Sequence, residues 1–246
     1  MKGYKKKIKK WCMVCIMVLV TFSILWVGMN LSMIFGRFEI SVDNIIDVID
    51  EKYNNCIKMA GMIIPVIYSV SFGYIFVIDK NYVILRYGRN RYGKKETKKV
   101  CIFSILFAAI YICTDVMLMS IFVRHSVLTD TSYYLYIILR FIMMVSYLSM
   151  IGMTLLFLRN VMMFLDIYFI IGGMIYVFLT LLYFIIGTVN IPVMCMAFAD
   201  EWFTRHKFDG LSYIINIAKM FLTSLILMYL GQITFMKRDI IGNEEV

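Results

Sequence analysis

Charge and histidine are both scarce in this chain: 17% of the 246 residues are charged and two are histidine, against 62% that are hydrophobic. So little charge excludes a water-soluble fold of this length, because no such fold could hide that much apolar surface. His125 and His206 cannot form an H-E-x-x-H zinc site, and no G-x-S-x-G nucleophile elbow is present. Asp115 and Asp166 sit at different depths and lack the flanking motif of an intramembrane aspartyl protease. The expectation is a protein with no catalytic residues, no metal site and no cofactor on this chain.

What is abundant is apolar sequence in long runs. A run of about 18 apolar residues is long enough to cross the hydrocarbon core as a helix. Six can be read, at 11–35, 57–78, 100–123, 133–158, 161–187 and 211–236. Their apolar character is continuous, whereas strands of a membrane barrel alternate apolar and polar. Helices are the other way to satisfy a backbone in lipid. The chain therefore reads as an all-α polytopic membrane protein, a single transmembrane domain of six helices over residues 1–246. The first run is too long for a secretory h-region and lacks an A-x-A-like cleavage site, so it counts as a span.

The net charge of +9 takes its meaning from where it lies. Lysines crowd the first ten residues, and lysines and arginines crowd the stretch between runs two and three, with Arg159, Lys237 and Arg238 on the same side. Few basic residues fall on the opposite side. By the positive-inside rule both termini are cytoplasmic, which an even number of spans permits. The same distribution makes the lipid bilayer the partner of these charges rather than nucleic acid.

Of six cysteines, Cys12, Cys15, Cys101 and Cys113 fall within apolar runs, so Cys12-x-x-Cys15 reads as a pair of membrane-face residues. Cys56 and Cys195 share the outer side, which leaves a pairing open. The acidic segment from Gly36 to Cys56 reads either as a short amphipathic outer helix starting near Ser41 or as a solvated loop. Residues 188–210 read as an outer short-helix region before the sixth span, opened by Asn190 and Pro192, with an ordinary amphipathic loop as the alternative. Gly172 and Gly173, and Gly61 with Pro65, suit close helix packing or a kink.

The cytoplasmic loop 79–99 is the longest basic internal stretch. Tyr82, Val83, Ile84, Leu85 and Tyr87 suggest one or two helical turns on the membrane surface, punctuated by Gly88 and Gly93. Gly88 to Lys95 matches the G-x-x-x-x-G-K spacing of a phosphate loop, but Lys95 stands where Ser or Thr would hold magnesium, and no strand precedes it. No nucleotide is hydrolysed on that loop.

Ionisable residues inside spans carry a functional prior, because a charge in hydrocarbon needs a partner or water. Asp115, Arg140 and Lys219 are the three. Counted from the outer helix ends at about 1.5 Å per residue, Asp115 and Arg140 lie at matching depth. A salt bridge between them would fix helices three and four, with lining of a substrate path as the alternative. Lys219 can snorkel outward.

In layout, the chain resembles the permease subunits of ABC-2-type transporters, in particular the small bacterial ones beside peptide-antibiotic export or immunity systems. The shared features are six helices in this length, cytoplasmic termini, a coupling helix between helices two and three, and short outer helices between five and six. The local likeness is Leu85-Arg86-Tyr87-Gly88-Arg89-Asn90-Arg91, similar to the basic R-Y-G-x-R segment of such coupling loops. The resemblance implies a plasma-membrane protein with two kinds of partner: a separate ABC ATPase subunit, and a second permease copy or a related permease. It implies that Tyr82 to Tyr87 enter a groove on the ATPase, with Arg86, Arg89 and Arg91 on acidic residues or lipid phosphates. Two other functions remain: a non-transporting immunity or accessory protein that binds an antimicrobial peptide, and an ion-coupled carrier using Asp115 and Arg140.

Overall fold

Backbone polar groups in lipid need internal partners, and the computed structural model meets this with helices. It describes residues 2–35, 53, 55–76, 88–122, 131–162, 167–186 and 209–237. Six helices follow in order. α1 is Lys2–Phe35. α2 begins as a π-helical segment, Cys56–Ile63, and continues as Ile64–Ile75. α3 is Arg89–Phe122, α4 Thr131–Val161, α5 Tyr168–Ile186 and α6 Gly210–Lys237. No strand occurs among the described residues.

Five of these helices hold apolar segments long enough to cross a membrane: Lys9–Leu31, Ile57–Ile75, Asn90–Phe122, Tyr133–Val161 and Gly210–Lys237. The apolar run of α5, Tyr168–Leu182, is shorter. The chain is an all-α polytopic membrane protein.

α4 is the central helix, packed against α2, α3, α5 and α6, while α1 lies on α3 and α2. The two outermost helices each turn one stripe inward. On α1 it is Val14, Val18, Phe22, Trp26 and Asn30, spaced by four residues, and on α6 Tyr213, Met220, Ser224, Gly231 and Phe235. This is the periodicity of a helix with one packed face. Its remaining large apolar residues, such as Ile16, Ile24, Phe221 and Ile226, are exposed, as suits a lipid-facing surface. Aromatic contacts bring several helix ends together. Trp11 meets Phe76 and Phe103, and Tyr92 stacks on Phe235 at 5.8 Å. The start of α1, the end of α2, the start of α3 and the end of α6 thus share one end of the bundle.

Several helix limits differ from those read in the sequence. α1 starts at Lys2 rather than at 11, since lysines are good helix formers and the helix of the apolar run extends backward through them. α3 starts at Arg89 rather than at 100, so the second half of the loop 79–99 is helical. The reason is a stripe the charges conceal: Tyr92, Glu96 and Val100 recur every fourth residue and are all buried. α4 runs to Val161, and α5 begins at Tyr168 rather than at 161. Leu155, Leu156, Arg159 and Asn160 are buried and carry α4 onward. The outer short helix near Ser41, the outer region 188–208, Asp166 and Cys195 lie outside the described residues.

Candidate functional site

Two clusters of buried polar groups mark the ends of the α3–α4 hairpin. The one toward the end of α3 and the start of α4, labelled outer after the sequence expectation as the other is labelled inner, holds the pair whose depths match in the sequence. Arg140 Nη1 lies 3.8 Å from Asp115 Oδ2. Trp26 of α1 donates its indole Nε1–H to Asp115 Oδ1 at 2.8 Å, and Arg140 Nη2 donates to the Tyr111 hydroxyl at 2.9 Å. The guanidinium also faces the rings of Tyr111 and Tyr136 at 5.4 and 5.9 Å, a geometry that stabilises a cation away from water. Tyr111 in turn donates to the Tyr53 carbonyl at 3.4 Å and stacks on its ring. One carboxylate thereby joins α1, α3 and α4.

The inner cluster was concealed in the sequence. Arg159 Nη1 lies 3.0 Å from Glu96 Oε2 and also donates to the Phe76 carbonyl at 3.2 Å. Glu96 Oε1 pairs with Lys99. Tyr168 of α5 donates to the same Phe76 carbonyl at 3.3 Å, and Asn160 Nδ2 donates to the Gly231 carbonyl of α6 at 3.2 Å. Phe76 caps the described part of α2, and side chains from α4 and α5 donate to its carbonyl, as the last carbonyls of a helix require. The sequence signal for this cluster was weak, because Glu96 stands among lysines and looks solvated.

The two ion pairs share one register. Glu96 and Asp115 are 19 positions apart on α3, as Arg140 and Arg159 are on α4. At 1.5 Å per residue that is about 28 Å, close to the roughly 30 Å of a hydrocarbon core. The hairpin is thus paired at two levels, each burying a carboxylate against an arginine.

The remaining sequence candidates are dispersed. Tyr82, Val83, Arg86 and Tyr87 lie outside the described residues. Gly88 has φ of +74°, a left-handed conformation open to glycine at little strain, and it turns the chain into α3. Arg89 is the first residue of α3 and Arg91 is on its exposed face. Lys219 is exposed on α6, away from both clusters. Cys12, Cys15, Cys101 and Cys113 are free thiols, and no group of metal-ligating side chains occurs among the described residues.

Chemically, neither cluster offers an unencumbered nucleophile or base; each positions helices against one another. Compared with known protein families, curated proteins and solved structures, the chain matches none of them.

Proposed function

We propose that this chain is the membrane-spanning permease subunit of an ATP-driven ABC-2-type transporter of the bacterial plasma membrane, exporting an amphipathic or peptide-like substrate. Both termini face the cytoplasm in this reading, and ATP is hydrolysed on a separate ATPase subunit. The functional unit holds two permease copies, or this chain with a related one.

The observation that carries the reading is the inner cluster. The basic loop leaves α2 at Phe76 and returns through Gly88 to α3, and Arg159 of the central helix binds both flanks, at the Phe76 carbonyl and at Glu96. A force on Tyr82 to Tyr87 is therefore delivered to α4 directly, and to α5 through Tyr168. ATP-driven closure of a partner would stabilise one arrangement of the bundle over another, which is all that switching access requires. An unanchored loop would dissipate that force.

The test is co-purification with a candidate ATPase from native membranes, before and after replacing Arg86, Arg89 and Arg91 by alanine. The reading expects a stable ATPase partner that the triple substitution releases. An accessory protein that merely sequesters a peptide would retain its activity without the loop, and consistent absence of an ATPase would overturn the permease reading.

A further inference from the structure

Of the five long helices, α6 buries the smallest share of its apolar span, with α1 next. Both turn a broad face to lipid, and the two faces differ in chemistry. On α1 the exposed residues between Met13 and Leu31 include Ile16, Met17, Leu19, Val20 and Ile24, and that stretch holds no charged side chain. On α6 the same kind of surface, with Ile215, Phe221, Leu222 and Ile226 exposed, carries Lys219. Asn216 stands three residues before Lys219 and Thr223 four after it, so the three share one row. The Thr223 hydroxyl bonds back to the Lys219 carbonyl at 2.8 Å. The side chains of Asn216 and Lys219 have no hydrogen-bond or ion-pair partner among the described residues.

Depth makes that costly. α6 has 28 residues, about 42 Å at 1.5 Å per residue, so a hydrocarbon core of about 30 Å leaves no more than about 12 Å of it outside at either end. Lys219 lies nine residues after Gly210 and 18 before Lys237, roughly 13.5 and 27 Å along the axis. Its backbone is thus within hydrocarbon wherever α6 sits along its own axis. A cation there calls for a counter-charge, and the neighbouring amide for a bonding partner. Among the described residues the carboxylates within spans are Asp115 and Glu96, and both are engaged, by Trp26 and Arg140 and by Lys99 and Arg159. A second copy related by a twofold axis along the membrane normal would set Lys219 against Lys219, two like charges. The missing carboxylate belongs to a different chain.

We propose that this face of α6 is a docking surface for a transmembrane helix of another protein, one that carries an aspartate or glutamate at the level of Lys219. The ammonium pairs with that carboxylate, and the Asn216 amide bonds across the same contact. Ala218, exposed beside Lys219, leaves room for a second backbone to approach. The proposal needs only a membrane-embedded chain and stands apart from transport.

Energy transfer between the full-length protein and labelled leucine-rich transmembrane peptides, co-reconstituted in phosphatidylcholine vesicles, tests it. One peptide carries Asp about one-third of the way along the helix, and its controls carry Leu or Lys there. The Asp peptide is expected to associate about tenfold more tightly than the Leu peptide, the effect of one polar contact in lipid. Lys219→Met should erase the preference, and Lys219→Asp should transfer it to the Lys peptide. Equal association of the Asp and Leu peptides, the result if the ammonium instead reaches the nearer headgroups, would overturn the proposal. So would a preference that persists in Lys219→Met, which puts the peptide elsewhere on the bundle, or energy transfer between two copies of the protein that Lys219→Met abolishes, which makes the face a self-association surface.

Discussion

Glu96 and Arg159 are each 3% exposed; deleting Glu96 would leave Arg159 buried without its counter-charge, and deleting Arg159 would leave the buried Glu96 with Lys99 alone. Glu96→Ala or Arg159→Ala is expected to lower stability by about 3–5 kcal/mol, whereas exchanging both for apolar residues of similar volume should recover most of that loss. Denaturant unfolding in micelles measures both, and single substitutions without effect would deny that the pair is buried in the native protein. Lys219→Met, on an exposed face, should stay within about 0.5 kcal/mol. At the N-terminus of α6, the Asp209 carboxylate accepts from the Ser212 hydroxyl at 2.5 Å and from the backbone N–H groups of Ser212 and Leu211. These bonds hold its pKa below the ordinary carboxylate range. The cap's contribution is therefore complete above the unfolded-state pKa and disappears as pH falls through the lowered folded-state value. Asp209→Ala should lower Tm at neutral pH, with the difference from wild type vanishing in acid; a difference independent of pH would contradict the cap. The partnership of Asp115 and Arg140 was legible because both stand alone in apolar runs at equal depth. Trp26 was not, since an indole in such a run is indistinguishable from a lipid-facing aromatic until its partner 89 positions away is known.

On the scale of single helices, Pro65 explains the unusual start of α2. It has no N–H, and with the change from π to α spacing at Ile64 this leaves the carbonyls of Ala60 and Gly61, five and four residues earlier, short of helical donors. Tyr147 of α4 donates to Ala60 at 2.8 Å and Thr180 of α5 to Gly61 at 3.1 Å. Gly61 lets Thr180 approach: a Cβ there would meet the Thr180 Cγ2 at 2.6 Å. Tyr147→Phe should cost about 1–3 kcal/mol, the penalty of a buried acceptor without a donor. Adding Pro65→Ala, which restores an N–H within reach of Ala60, should return part of it; thermal unfolding of the two variants decides, and strict additivity would contradict the compensation. At Gly172 a Cβ would strike Leu155, and at Gly173 it would come within 3.1 Å of Ser69 Oγ. The sequence pointed to these glycines as packing sites because adjacent glycines in an apolar run have few other uses. It concealed the π-helical geometry, which depends on donors from two distant helices. It also misplaced the start of α3, because a charged segment with one buried residue per turn has the composition of a loop.

For the molecule as a whole, α4 is the central element: it is ion-paired to α3 at two levels and packed against α2, α5 and α6. The two ion pairs stand about 28 Å apart along the hairpin, and in the proposed permease they would couple the basic loop to the outer cluster. Membrane class and helix number were legible from run length and composition, because lipid admits so few alternatives. The packing order was not, since lipid-facing and buried apolar residues share one chemistry. The account's central claim is that the loop between α2 and α3 receives force from an ATPase, and the most direct measurement is photo-crosslinking in native membranes from a photoreactive residue at position 87. The account predicts one dominant adduct with an ATPase subunit whose yield changes when nucleotide is bound. Adducts with lipid alone, or a protein adduct indifferent to nucleotide, would contradict it.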